Sequence, residues 1–318
     1  MTPFFIGTVL NLASLYMIAG VGCGILKRCG EYNLGGEGQI YFSGFFCAIL
    51  LHHFQNFPPF LAVSLCLIIC FILTSLITLF SAFLKDKFNA DFLFTSFIIS
   101  SAIIPLINGL ITGKFRGTTG NLLATEFIKE SFRFTPILPP SKLNISFFVM
   151  ILIPIIIGLF LFRTKLGREI CLCGISKEFA LYAGINQKKT FYIASLLSGG
   201  FHGICGVIAI CGTYYTCHLG FHASLGWNAL SACLIAFANP FLIIPSSIFL
   251  ALIITSANNF ALYNNFNFDM SGIIQAVIMF VISFSIFQNK QTFVDKYLIF
   301  SQLSFIFSYL SHFFEKKV

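Results

Sequence analysis

Few residues in this chain could do chemistry, and they sit in four places. Between Gly30 and Gly44 the sequence reads Gly-Glu-Tyr-Asn-Leu-Gly-Gly-Glu-Gly-Gln-Ile-Tyr-Phe-Ser-Gly, so one carboxylate, Glu37, is set among Gly35, Gly36 and Gly38. A second acid, Asp91, lies between Asn89 and Thr95. Carboxylates beside apolar runs could serve as ion or proton relays. His218 and His222 are four residues apart with Cys217 beside them, a spacing that could hold zinc on a helix; Gly220 between them leaves no convincing helical frame. Cys171-x-Cys173 has a one-residue gap, where zinc and redox pairs use two. No Gly-x-x-x-x-Gly-Lys-Ser/Thr run is present to cradle a nucleotide's phosphates in that way. No paired carboxylates and no His-rich cluster lie deep in the apolar runs. The expectation is no catalytic residue, no metal and no cofactor bound by this chain.

The elements that must position these residues are apolar. The chain has 318 residues, 57% hydrophobic and 9% charged, with mean hydropathy +0.91. Soluble domains carry roughly 25% charged residues. Apolar stretches of about 20 residues recur along the whole length, which predicts an all-α, polytopic integral membrane protein. The 42 phenylalanines suit a lipid-facing surface, and most of the 11 cysteines lie in apolar runs, where thiols behave as small hydrophobes. The +8 charge sits mainly in short loops, where it sets orientation, and is no nucleic-acid signature. The first run has no basic residue before it and is too long for a signal h-region, so it reads as a retained span.

Nine spans are expected, at about Pro3–Leu26, Gly36–Leu51, Phe60–Leu84, Asp91–Ile111, Ile145–Phe162, Phe191–Gly212, Asn228–Ala238, Phe241–Ala257 and Ser271–Phe287. A further apolar run, Tyr297–Phe314, reads as a surface helix or a tenth span. Lys27 and Arg28, then Lys85 and Lys87, and above all the basic segment Arg163–Thr190 mark the inside. This puts the N-terminus outside and the C-terminus inside. The mixed-charge connection Thr112–Asn144, the stretch Tyr214–Trp227 (outside or re-entrant) and an Asn-rich loop with Asn258, Asn259, Asn264, Asn265, Asn267 and Asp269 fall on the other side. Lys290 and Lys296 return the chain to the inside. One domain, 1–318, is expected: a first half of about 1–162, an inside loop 163–190, a second half 191–287 and a C-terminal segment 288–318. Spans two and seven are both short and occupy similar places in the halves, as paired interrupted segments of a transport repeat do. Gly199, Gly200, Gly203 and Gly206 permit close helix approach in span six.

The glycine stretch fits two structures. It could be an interfacial loop in which Asn33 or Glu37 complements the free N–H groups of the next helix. It could instead be a broken helix lining a path, since non-helical backbone at membrane depth survives only where buried or facing water. Asn33, Gln39, Asn89, Thr95 and Asn228 are the candidate path residues; each could equally be helix–helix glue.

Three places resemble the permease subunits of bacterial ATP-binding-cassette (ABC) importers, in the branch with ribose-type and nucleoside-type permeases. They are Asn33-Leu34-Gly35-Gly36-Glu37-Gly38-Gln39, the loop from Thr164-Lys165-Leu166-Gly167-Arg168 through Ala180-Leu181-Tyr182-Ala183-Gly184-Ile185, and the stretch from Gly220 through Gly226 to Asn239-Pro240. Their order and spacing match from Asn33 to Ile286. The glycine stretch ending in Gln39, the Asn89–Thr95 segment and the long Pro-ending loop are most similar to nucleoside-type permeases. Cys171 stands where arginine is frequent, Asp91 where glutamate is usual, and no glycine precedes Asn239. Some relatives have an extra span before the first one here.

The resemblance implies half of a transmembrane pathway for nucleosides, purine nucleosides foremost, or a related sugar-containing solute in the bacterial cell membrane. It implies an ATP-binding subunit that uses the ATP, a second and related permease chain, and an extracytoplasmic substrate-binding lipoprotein. The coupling loop would act through Gly167, Arg168, Ser176, Ala180, Ala183 and Gly184, with Ser176 capping a short docking helix that runs to Ala183. A monosaccharide permease and an ion-coupled carrier are the alternatives.

Overall fold

The structure, a computed structural model, describes residues 2–118, 122–222, 224–264 and 270–288. The run 297–314, the 289–318 tail with Lys290 and Lys296, and Asn265, Asn267 and Asp269 lie outside the described residues.

Helix starts follow local capping chemistry. Helix α1 (Pro3–Arg28) opens on Thr2, whose hydroxyl accepts from the Phe5 N–H, with Pro3 in the first turn. After α2 (Gly36–His53) and α3 (Pro59–Phe88), α4 (Phe92–Thr112) opens on Asp91, which accepts from Leu93 N–H at 2.9 Å. Helices α5 (Ser146–Arg163), α6 (Lys165–Ile175) and α7 (Lys177–Tyr182) follow. Helix α8 (Gln187–Ala209) opens on Asn186 and continues as a π-helical turn, Ile210–Tyr214. Helix α9 (Leu225–Ile235) ends before Asn239, whose side chain caps α10 (Pro240–Tyr263); α11 is Met270–Gln288. Two isolated bridges, Ala124 with His218 and Pro136 with Asn144, are the only sheet-like pairings among the described residues.

The chain is therefore all-helical, with eleven α-helices described. Among the described residues six helices are long and apolar enough to cross a membrane: α1, α3, α4, α5, α8 with its π turn, and α10. Six of the expected nine to ten spans meet that measure. Helix α9 and the apolar part of α11, Gly272–Val281, are shorter.

Helices α1 and α8 form the centre, with 89% and 78% of their apolar windows buried; α3 and α4 are peripheral at 28% and 22%. The glycines of α8 make this possible. A Cβ at Gly203 would lie 2.7 Å from Cys70 O of α3, and one at Gly206 2.9 Å from Gly44 N of α2.

The loops sort to opposite ends. At one end Thr125 N–H donates to Cys217 O at 3.0 Å, Ile128 N–H to Tyr215 O at 2.9 Å, and Lys129 to Gln55 O at 3.0 Å. At the other, Arg28 donates to Ala238 O at 2.8 Å and Lys188 pairs with Asp86 at 2.7 Å, beside α6 and α7. The contacts bring the predicted-outside connection Thr112–Asn144 to Tyr215 and Cys217 at one end and join predicted-inside residues at the other, while the stretch Tyr214–Trp227 reaches from the first end to the start of α2. The glycine missing before Asn239 has a structural counterpart: Phe237 and Ala238 take φ of 51° and 53° there, the left-handed region that side chains disfavour by about 1–2 kcal/mol.

Candidate functional site

The two short helices, α2 and α9, begin against each other. Their N-termini meet where Gly226 faces the peptide between Gly36 and Glu37. A Cβ on Gly226 would lie 2.5 Å from Glu37 N and 2.8 Å from Gly36 C. Two helix N-termini bring two sets of unpaired N–H groups and two positive dipole ends together. Both ends are satisfied from outside their own helix. Glu37 Oε1 accepts from the Trp227 N–H of α9 at 3.2 Å. Ser100 Oγ of α4 accepts from the Gly38 N–H of α2 at 2.7 Å, and Ser96 Oγ, one turn earlier, accepts from Leu34 N–H at 3.2 Å. Glu37 Oε2 lies 3.9 Å from His222 Nε2, and the His222 ring packs on Tyr41 at 4.4 Å. Glu37 thus caps α9, not its own helix.

Asn33 closes the turn before α2. Its Oδ1 accepts from Gly35 N–H at 2.9 Å, and its Nδ2 donates to Gln39 Oε1 and to Ser198 Oγ of α8, both at 3.1 Å. Asn33 and Gln39 are buried. Asn228, also buried, donates to Tyr16 of α1 at 3.0 Å. Asn89 is exposed in the turn between α3 and α4, with φ 52°. The half-buried Thr95 donates to Phe92 O at 3.1 Å. The five candidate path residues therefore do not line one surface: Asn33 and Gln39 form one network, Asn228 joins α9 to α1, and Asn89 borders a cleft of about 540 Å³ at the α6–α7 end with Asp91, Glu31 and Lys177. Asn33→Ala leaves buried partners unsatisfied, at roughly 1–3 kcal/mol. The expected result is a lower unfolding temperature of the detergent-solubilised chain, read by thermal melt.

The α5–α8 connection is built with its own caps. Thr164 accepts from Gly167 N–H at 3.1 Å, and Gly167 is buried where α6 turns back on α5. Ser176 accepts from Phe179 N–H at 3.2 Å and starts α7. Ala180 is buried beneath α7; Arg168, Ala183 and Gly184 are exposed, Gly184 with φ 72° where the chain leaves the helix. Sequence reasoning missed the surface this creates: Ile175, Phe179, Leu181 and Tyr182 are 80%, 57%, 67% and 91% exposed. An amphipathic reading of residues 175–182 could have found it, since Ala180 is the only buried position in α7. Burial raises the Cys171 and Cys173 thiols above their usual range, which keeps them protonated near neutral pH and poor as metal ligands. His218 lies against Tyr214 at 5.0 Å, and burial, with Lys142 nearby, lowers its pKa and favours the neutral ring. Among the described residues no group of three or more His, Cys, Asp or Glu could hold a metal.

Residues 5–283 match the family described as Branched-chain amino acid transport system / permease component. The chain is 29% identical over 282 residues to the probable riboflavin import permease protein of Treponema pallidum, covering 89% of this chain and 75% of that protein. It is 21% identical to the guanosine ABC transporter permease protein of Bacillus subtilis, covering 73% of this chain and 67% of that one. It is 22% identical to the glucose ABC transporter permease protein of Haloferax volcanii, covering 91% and 78%.

Proposed function

On the premise that the chain belongs to the family of branched-chain amino acid transport system permease components, we propose that it is one permease subunit of an ABC importer. It forms half of a path through the bacterial cell membrane and works with a second, related permease, an ATP-binding subunit and a substrate-binding lipoprotein. The solute joins a heterocycle to a ribosyl or ribityl chain, as a nucleoside or a flavin does. Guanosine and riboflavin in the names of two relatives support that class.

The observation that carries this reading is α7. A soluble loop between two long apolar helices would not leave Ile175, Phe179, Leu181 and Tyr182 bare in a basic segment. They fit a groove on a partner protein, and the positive-inside bias places them in the cytoplasm. The N-terminus then lies outside. An ion-coupled carrier would need free intramembrane carboxylates. Asp91 caps its own helix, and Glu37 Oε1 accepts from the Trp227 N–H, while Glu37 Oε2 has no hydrogen-bond partner among the described residues and faces His222 at 3.9 Å.

The solute passes along the bare face of α4, where Phe97 and the half-buried Trp227 bring their rings to 6.2 Å, with Thr95 on the same helix. Aromatic faces stack heterocycles at about 1–3 kcal/mol each. Trp227→Ala is expected to raise the KM for uptake about tenfold with the amount of chain unchanged. An unaltered KM would remove Trp227 from the path. The deciding experiment is co-purification from the native membrane, followed by ATP-driven uptake of labelled guanosine, riboflavin and glucose into vesicles. Recovery of an ATP-binding subunit and uptake of the first two support the proposal. Uptake of glucose alone assigns the monosaccharide reading, and a chain recovered without an ATPase overturns both.

A further inference from the structure

The segment that joins α1 to α2 is seven residues long, Cys29 to Gly35, and it touches both the α7 end and the α2–α9 junction. At its start the backbone of α6 lies against it. Gly30 has φ 89°, and a Cβ there would sit 3.2 Å from Gly174 Cα; a Cβ on Gly174 would sit 2.9 Å from Gly30 N and 2.8 Å from the Arg28 carbonyl carbon. No side chain stands between the end of α6 and the linker, so neither can move alone.

The next residue is Glu31, and its carboxylate is shared. Oε1 pairs with Lys177, the first residue of α7, at 3.2 Å, and with Lys85 near the end of α3. The Glu31 side chain is only 15% exposed, and the three charges come from three separate parts of the chain. An exposed pair contributes little, but a carboxylate this covered is costly to leave without its cations. Two residues later, Asn33 is anchored to Ser198 and Gln39, and Glu37 follows with its hold on α9.

We infer that Glu31 is the positioning residue that transmits movement of α7 to the α2–α9 junction. The inference rests on α7 being the docking helix. A displacement of α7 carries Lys177 and, through it, Glu31. The linker is too short and too firmly held at Gly30 and Asn33 to absorb the shift, so the start of α2 moves against the start of α9. Lys85 is the fixed point about which this happens, because it belongs to α3 and not to the docking loop.

The test compares solute moved per ATP hydrolysed in the assembled transporter, reconstituted in vesicles. Glu31→Gln is expected to retain the ATP-binding subunit and to hydrolyse ATP within about twofold of the parent, with the transport-to-hydrolysis ratio down about tenfold; Lys177→Gln, on the docking helix itself, is expected to lower the same ratio about tenfold. Lys177→Arg, which keeps the charge, is expected to keep the ratio. A purely structural role for the pair would lower protein amount, hydrolysis and uptake together. An unchanged ratio in Lys177→Gln, or loss of the ATP-binding subunit from Glu31→Gln, overturns the inference. Should Glu31→Gln fail to accumulate, Lys177→Gln, altered at an exposed side chain, decides by the same readout. If the parent chain itself holds no ATP-binding subunit, it is the docking reading that fails.

Discussion

Gly226→Val is expected to bring uptake to background and to reduce the chain recovered folded from the membrane, with Gly226→Ala intermediate. The obstacle to a side chain at this position is backbone: Glu37 N at 2.5 Å and Gly36 C at 2.8 Å. A flexible side chain could swing away, but a peptide that starts a helix cannot do so without moving the helix. Overpacking of this kind costs about 1–3 kcal/mol, and more where the neighbour is rigid. Separation of the two helices also strains the bond from Trp227 N–H to the Glu37 carboxyl group, and a hydrogen bond contributes about 0.5–1.5 kcal/mol. Their sum takes a large part of a typical net stability of about 5–15 kcal/mol. Gly109→Ala is the matched control, since a Cβ there would meet nothing within 4 Å. The measurements are uptake and fluorescence-detected size exclusion of the solubilised chain. Parental uptake in Gly226→Val would show that α2 and α9 need not touch.

A second large effect is expected at α7. Leu181→Asp should leave the amount of chain in the membrane unchanged and lower recovery of the ATP-binding subunit about a hundredfold. Leu181 and Tyr182 are 67% and 91% exposed, so an acidic side chain costs the isolated chain little. Within an interface the same charge must be desolvated without a partner, and central apolar contacts there carry about 2–4 kcal/mol each. Ala180 is buried under the same turn, so Ala180→Asp would damage the fold first and is the poorer probe. Measured by quantitative pull-down, unchanged recovery of the subunit with Leu181→Asp would sink the docking role of this face.

The sequence alone determined what depends on near neighbours. Composition and run length gave the helical membrane class, and the apolar boundaries recur in the helices: α2 is Gly36–His53 against an expected Gly36–Leu51, and α4 is Phe92–Thr112 against Asp91–Ile111. Ser176 caps α7 as its place before a short helix implied, and Asn239-Pro240 divides α9 from α10. Caps, prolines and glycines act within about four residues, so their effect is written locally. The tertiary structure decided everything that links distant residues. Glu37 looks in sequence like a cap for its own helix, yet it serves α9, 190 residues away. The N–H of Gly38 is satisfied by Ser100, 62 residues on, and Glu31 meets a lysine 146 residues away. Two of the five polar residues read as path candidates, Asn33 and Asn228, are tied to Ser198 of α8 and Tyr16 of α1, partners that no spacing rule names, and Gln39 joins through Asn33. In an apolar bundle a buried polar group takes whichever partner packing brings within reach, and that choice is made only when the helices come together.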